Sequence, residues 1–170
     1  MSETILGLDI SSVATGYCVE KDEKFIDYGV IHPDNSLTQV EKLWYIYHEV
    51  HALIKKHDVD ELIIEDIYLK FFNAFKILCR LQGAMIALWF SMKFRPLIII
   101  PTVSARKAIG APVRGKKKDV MKHVNKLVGL GIKDDNVADA FVLILAYKKQ
   151  LEKPEIEIPT ETKKTGRKKK

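Results

Sequence analysis

Residues 5–20, ILGLDISSVATGYCVE, decide the fold. They begin as an apolar strand, but this strand ends on a carboxylate, Asp9. Small residues and Gly16 follow before a second apolar run begins. A carboxylate at the end of a buried strand costs free energy unless a positive group meets it. The sequence therefore predicts a positive partner for Asp9 at this point of the chain.

Length and composition favour one globular domain. The chain has 170 residues, of which 47% are hydrophobic and 29% charged, and this is enough to enclose a single sizeable core. We expect the domain to span residues 1–151. Residues 152–170 are rich in lysine and contain two prolines, so a basic, disordered tail is predicted there.

The sequence favours a cytoplasmic protein without a membrane segment. The longest apolar run, residues 84–90, is soon followed by Lys93 and Arg95, and the first residues lack the features of a signal peptide. Cys18 and Cys79 lie far apart in apolar surroundings. Both are predicted to be reduced core residues, as is usual in the cytoplasm.

Positive charge is concentrated in two places. The net charge is +6, and the last eight residues, KKTGRKKK, contain no acid. Residues 106–126 are also strongly basic, with Asp119 as their only acid. Such clusters are typical of proteins that bind a polyanion, nucleic acid above all. The alternative is a lysine-rich helix face that is merely solvated.

The apolar patterns predict an α/β fold. Strands are expected at residues 4–9, 15–20, 24–32, 60–64 and 96–100, and helices from a cap at Ser36 and at about 70–92, 103–109, 118–128 and from Asp134. This order gives a mixed five-stranded sheet flanked by helices. A right-handed crossover would return the fourth strand beside the first. Asp9 and Glu65 would then lie at neighbouring strand ends.

The last helix brings further polar side chains. Asp135 and Asp139 are about 40° apart around a helix of 3.6 residues per turn, and Asn136 and Asp139 are about 60° apart. All three therefore share one side of the helix near its start. This side can face the edge of the sheet that carries Asp9 and Glu65.

Gathered carboxylates would repel one another unless a cation lay between them. Oxygen ligands suit Mg²⁺ or Mn²⁺ rather than zinc. Two such ions, about 4 Å apart, can activate a water and stabilise the leaving oxygen in a phosphoryl displacement. The alternative is that each acid is an ordinary turn or cap residue. Asp134 is expected to be a helix N-cap and Asp66 to be exposed.

The long helix predicted at 70–92 is apolar on more than one face. One face is expected to pack on the sheet. The surplus predicts a second buried contact, most simply a homodimer. The alternative is a helix enclosed entirely within its own core.

Three motifs resemble those of the RuvC-type Holliday-junction resolvases. ILGLDISSVATGYCV is similar to the first motif, LIIEDIYLK to the second and DDNVADAFVLILAY to the last, in the family's order. The resemblance covers about residues 4–149 and is nearer to the phage branch than to the cellular one. It implies an RNase H-like fold, a homodimer, and cleavage of branched DNA with two Mg²⁺ ions per site, for which Mn²⁺ substitutes. The protein would act in the cytoplasm of a bacterial cell or of a phage-infected host.

The resemblance also assigns residues. Asp9, Glu65 and Asp139 match the family's catalytic acids and metal ligands. The family's fourth ligand, Asp or His, falls three residues before the last Asp, where this chain has Asn136. Asp135 is predicted to be the fourth acid, with the carbonyl oxygen of Asn136 as the other candidate ligand.

A DNA-binding surface is implied less specifically. Tyr68 falls where the family places an aromatic ring that stacks on a base, although the same ring could be a core or interface residue. The lysine run falls near the family's phosphate-binding lysines. The predicted DNA-binding residues are Tyr68, Arg106, Lys107, Arg114, Lys116, Lys117 and Lys118.

The favoured function is a structure-selective endonuclease acting on Holliday junctions and on other branches such as forks and flaps. The alternative is a branched-DNA binding protein of the same fold with weak or no nuclease activity, which Asn136 leaves open. An ATPase of the actin or sugar-kinase type is disfavoured, because those enzymes need two such domains.

Overall fold

A computed structural model describes residues 3–68 and 71–151. The strands are β1 (Thr4–Asp9), β2 (Thr15–Lys21), β3 (Lys24–Ile31), β4 (Glu61–Glu65) and β5 (Ile98–Ile100). The helices are α1 (Gln39–His57), α2 (Phe72–Lys93), α3 (Thr102–Ala108), α4 (Lys117–Val128) and α5 (Asp135–Leu151). The tail predicted at 152–170 lies outside the described residues.

The five strands form one mixed sheet in the order β3-β2-β1-β4-β5. β1 pairs antiparallel with β2 and parallel with β4, so the chain returns beside its first strand after α1. Leu8 is opposite Ile64 in that parallel pair, which leaves Asp9 and Glu65 as the next residues at one end of the two strands. The predicted fold class and the adjacency of these strands are confirmed.

Alternation along the strands divides the core into two layers. Leu6 and Leu8 of β1 pack with β4 residues against α1 and α2 on one face. Ile5 and Ile63 point to the other face, where they pack with α3, α4 and α5. A strand that is buried on both faces reads as a continuous apolar run, which explains the sequence of β1 and β4. Helices on both faces hold the polar strand ends at a rim between the layers.

Two local predictions are wrong. The N-cap of α1 is Thr38, whose side chain forms a capping box with Glu41, and not Ser36. Both residues are good caps, but only Thr38 has a glutamate three residues further on. Cys18 is buried as predicted, whereas Cys79 is exposed on α2.

α2 is long and apolar enough, by length and composition alone, to cross a membrane, although no such run was expected. Core helices of globular domains satisfy the same criterion. In this fold Leu81, Met85, Leu88 and Trp89 of α2 are fully buried against the layer that contains α1. Ala84 and Met92 are partly buried against the same layer, whereas Phe72, Ile86 and Phe90 are exposed.

Candidate active site

Asp9 and Glu65 come together because β1 and β4 run parallel in register and both end at the same edge of the sheet. The two carboxyl groups share a hydrogen bond. Two adjacent buried carboxyl groups cannot both ionise at little cost. A hydrogen bond between the two side chains forms when one carboxyl group is protonated and donates to the other.

Helix α5 reaches this edge because glycine lies beneath it. Gly16 is opposite Asp9 in the register of β1 and β2. A Cβ atom added at Gly16 would lie 2.9 Å from the backbone nitrogen of Val137 and closer still to the carbonyl group of Asn136. Gly7 plays the same part further along, where an added Cβ would lie 2.8 Å from the Ala140 carbonyl oxygen. These two glycines allow the backbone of α5 to approach the sheet closely.

That approach brings Asp139 to the two strand-end acids. Its side chain is only 12% exposed, and its charge contributes to the raised pKa of both Asp9 and Glu65. The structure therefore places Asp9, Glu65 and Asp139 in one cluster, which we call the acidic centre. The sequence predicted this grouping.

Burial is the main reason why the acids of the centre resist ionisation. It raises the pKa of Asp9 well above its usual value, and the hydrogen bond and charge of Glu65 and the charge of Asp139 raise it further. Burial also raises the pKa of Glu65 and of Asp139. Arg106 and Lys117 oppose these shifts by lowering the pKa of Glu65 and Asp139. Arg106 and Lys117 therefore offset only part of the repulsion among the three carboxyl groups of the centre.

Two side chains from α3 contact the centre directly. The Thr102 hydroxyl donates a hydrogen bond to Oε1 of Glu65. Arg106 donates from Nη2 to Oδ1 of Asp139 over 3.0 Å, and both side chains of this pair are nearly buried. They reach the centre because Glu65 is opposite Ile100, and α3 begins two residues after Ile100.

Sequence reasoning missed Thr102 and assigned Arg106 to the DNA surface alone. One available signal was the position of α3, which follows β5 directly at the edge where β1 and β4 end. Residues at the start of such a helix face the strand ends of their neighbours. The spacing within α3 also puts positions 102 and 106 on one side of the helix.

The two candidates for the fourth ligand, Asp135 and Asn136, have different surroundings in the structure. Asp135 is bonded to Lys117 over 2.8 Å, and this pair is partly exposed at the rim of the centre. Its hydrogen bond with Lys117 lowers the pKa of Asp135. The Asn136 side chain donates to Asp134, which also accepts from the backbone nitrogens of residues 136 and 137. Asp134 therefore caps α5, as predicted.

The donor set fits a hard divalent cation. Three partly buried carboxyl groups converge, and these are the oxygen ligands that Mg²⁺ and Mn²⁺ prefer. Within residues 3–68 and 71–151, no three acidic, histidine or cysteine side chains already stand in a ligating arrangement. Thr102 and Arg106 engage two of the three acids instead. The residues fit a metal centre whose side chains need a local rearrangement to bind it.

Most of the predicted DNA-binding residues are exposed, and Lys117 is close enough to the centre for its charge to act on all three acids. Tyr68 follows β4 and is 82% exposed, so the alternative of a core residue is wrong for it. Asp66 is exposed as expected. The other exposed candidates, on α3, on the loop after it and at the start of α4, are Lys107, Arg114, Lys116, Lys117 and Lys118. Arg106 differs from all of these because it faces inward.

Comparison with protein families gives one match over most of the chain. Residues 5–147 match the family model described as crossover junction endodeoxyribonuclease RuvC. A protein of that name from Fusobacterium nucleatum is 25% identical over 151 residues, which cover 84% of this chain and 78% of the relative. Another, from Ehrlichia chaffeensis, is 28% identical over 153 residues, which cover 86% of this chain and 97% of the relative.

Solved structures show the same fold at low sequence identity. The Thermus thermophilus RuvC in complex with a Holliday junction substrate superposes with a TM-score of 0.75 at 14% identity, covering 88% of this chain and 94% of that one. The yeast mitochondrial Holliday junction resolvase Ydc2 gives a TM-score of 0.61 at 14% identity, covering 85% and 77%. At these identities the likeness supports the fold alone. The fold is that of the predicted RNase H-like group.

Proposed function

This chain belongs to the RuvC family of crossover junction endodeoxyribonucleases, and on that premise we propose that it hydrolyses phosphodiester bonds in branched DNA. The observation that carries the proposal is the convergence of Asp9, Glu65 and Asp139 at one sheet edge, where the charge of the exposed Lys117 acts on all three. Acids that repel one another, with a cation beside them, suit a metal and a phosphate substrate. The assignment to the phage branch rests on the compact chain and stays a prediction.

We propose that the acidic centre holds two Mg²⁺ ions, or Mn²⁺ in their place. When bound, such ions activate water and stabilise the oxygen that leaves the scissile phosphate. Asp9, Glu65 and Asp139 would supply the protein's oxygen ligands, and Asp135 would complete the set after releasing Lys117. Their placement on two strand ends and one helix fixes their spacing.

The basic residues around the centre would hold the DNA backbone. Lys107, Arg114, Lys116 and Lys118 are exposed on neighbouring segments, so each can contact a phosphate. Tyr68 offers an exposed ring close to Glu65 on which an unpaired base could stack. Such contacts select branch geometry rather than base sequence. Holliday junctions are the proposed substrate, with forks and flaps as further candidates.

We also propose that the protein acts as a homodimer through α2. Four large apolar residues on this helix and at its C-cap are exposed: Phe72, Ile86, Phe90 and Phe94. An exposed apolar stripe of this kind is stabilised when a second copy covers it. A dimer with a two-fold axis would supply two acidic centres for cuts on two strands. We place its activity in the cytoplasm.

A strand-cleavage assay on a labelled four-way junction with Mg²⁺ or Mn²⁺ tests the nuclease. Linear duplex and a replication fork are run beside it. Asp9→Asn should abolish cleavage, because it removes a carboxylate from the centre while leaving the exposed basic residues intact. Junction binding by that variant should stay within about twofold of the wild type.

Asp58→Asn is the matched control. Asp58 is a surface acid at the C-cap of α1 with a left-handed backbone, a position that asparagine also occupies well. This variant should cleave like the wild type. Tight junction binding without product under either metal would instead support the alternative, a branched-DNA binding protein, for which Asn136 at the family's ligand position is the specific argument.

A further inference from the structure

Arg106 is an unusual arginine in this molecule. Its side chain is 13% exposed, and it donates to Asp139 inside the acidic centre rather than to solvent. Its Nε atom is buried and has no hydrogen-bond partner among the described residues. At least one of the guanidinium's five N–H donors is therefore buried and unused in this arrangement.

An arginine with a buried donor that has no partner costs free energy. A buried cation is stabilised only as far as its partners replace the water it has lost. Asp139 is its one ion-pair partner in the part of the chain that the structure describes, with the charge of Glu65 nearby. Without Arg106, the partly exposed Lys117 would be the main positive charge left to act on the three carboxyl groups. The pair is thus held together by the charge of the centre.

We propose that Arg106 is the internal counter-ion of the acidic centre and competes with the divalent metal for Asp139. The guanidinium occupies an oxygen that a metal ligand set would need. Metal binding would then displace it, and its five donors would become free for an anionic phosphate. This inference rests on the proposed metal-dependent function of the same centre.

Lys117 provides an internal comparison. It bonds to Asp135 at the rim, where the two side chains are 56% and 40% exposed. Exposed ion pairs contribute little, because water and salt screen them. Release of Asp135 by Lys117 therefore costs little, whereas the buried pair of Arg106 and Asp139 is the contact that a metal must break.

The first test is Mn²⁺ titration calorimetry on wild type and Arg106→Gln without DNA. Removing the competing charge should tighten Mn²⁺ binding by about tenfold, the lower end of the contribution of one charge-assisted hydrogen bond. In the absence of metal, Arg106→Gln should have a lower unfolding temperature, since the carboxylates lose their cation. Mn²⁺ should restore more of the stability of the variant than of the wild type.

Arg95→Gln is the matched control. Arg95 also has a buried Nε without a partner in the described residues, and it also pairs with a carboxylate, Glu61, over 3.2 Å. It lies before β5 and beside the first residue of β4, at the end of these parallel strands opposite to the acidic centre. Its variant should bind Mn²⁺ as the wild type does.

A second measurement uses only the wild-type protein, so its result does not depend on whether a variant folds. In wild-type protein labelled with ¹⁵N-arginine, Mg²⁺ should shift the Nε resonance of Arg106 and leave that of Arg95 unchanged. If saturating Mg²⁺ left the Arg106 resonance unchanged, the proposed competition between Arg106 and the metal for Asp139 would be overturned.

The outcomes separate this inference from the function on which it rests. Unchanged or weaker Mn²⁺ binding by Arg106→Gln, with binding still abolished by Asp9→Asn, would overturn the counter-ion role alone. Absence of Mn²⁺ binding in both wild type and Arg106→Gln would overturn the metal centre and the counter-ion role together. Tighter binding by Arg106→Gln that Asp9→Asn abolishes would support both.

Discussion

Substituting Gly16 by alanine should damage catalysis far more than DNA binding. The added Cβ would lie 2.9 Å from the backbone nitrogen of Val137 and closer to the Asn136 carbonyl, whereas ordinary contacts begin at 3.4 Å. The obstacle is backbone on α5, which cannot turn aside as a side chain does. To relieve it, the start of α5 must withdraw by roughly 1 Å, a displacement that can cost about 10²-fold in rate when it moves a catalytic group.

The same clash should lower stability. Overpacking of this kind costs typically about 1–3 kcal/mol, against a gain of about 0.4–1 kcal/mol from a stiffer unfolded chain. Gly29→Ala is the control, because its Cβ would lie 3.0 Å from the hydroxyl of the Tyr17 side chain, which can move. The assay is single-turnover cleavage of a four-way junction, with urea unfolding alongside. A Gly16→Ala protein with wild-type rate and stability would refute the idea that this glycine sets the distance of Asp139 from the strand ends.

Three further predictions concern other parts of the molecule. Burial alone would raise the pKa of Asp27, but hydrogen bonds from Lys56 and His57 outweigh it and lower the pKa. The stability from this cluster is therefore present above the unfolded pKa of about 3.9 and is lost as pH falls through the lower folded value. Urea unfolding should show Asp27→Asn less stable than wild type at pH 6, with the difference vanishing in strong acid; a constant difference would contradict this. Phe90→Asp should convert the proposed dimer to monomer in sedimentation velocity, and a dimer that survives would place the interface elsewhere than on α2. Deleting residues 152–170 should weaken binding to duplex and junction alike in gel-shift titrations, more at low salt than at high salt; a loss confined to junctions would contradict a non-specific role.

The sequence predicted the grouping of Asp9 and Glu65 because two simple rules act together. Each acid follows a short apolar run, and a right-handed crossover between parallel strands puts the ends of those runs side by side. Asp139 followed from helical spacing combined with the need of α5 to pack its apolar side on the sheet. These predictions depend on periodicity and chain topology, which local sequence encodes well.

The contacts of α3 were harder to predict because they depend on the direction of single side chains. The sequence around Arg106 contains adjacent basic residues, so Arg106 and Lys107 read alike as candidates for the DNA surface. In the structure Lys107 is exposed while Arg106 turns inward to Asp139. Neighbouring positions on a helix point about 100° apart, and only the docking of α3 decides which of the two faces the acids.

The altered position in the last motif changes less of the centre than the substitution suggests. Asn136 directs its side chain to Asp134 at the helix cap, and its backbone packs on Gly16. Asn136 thus contributes to the start of α5 and to the packing of this helix on the sheet. Asp9, Glu65 and Asp139 are held by other elements whether or not a fourth ligand joins them, so the missing charge should reduce metal affinity and leave the arrangement of these three acids intact. Restoring that charge with Asn136→Asp would place a carboxylate next to Asp134 and Asp135, and the repulsion among three consecutive acids would oppose the gain unless a metal ion is present to offset it.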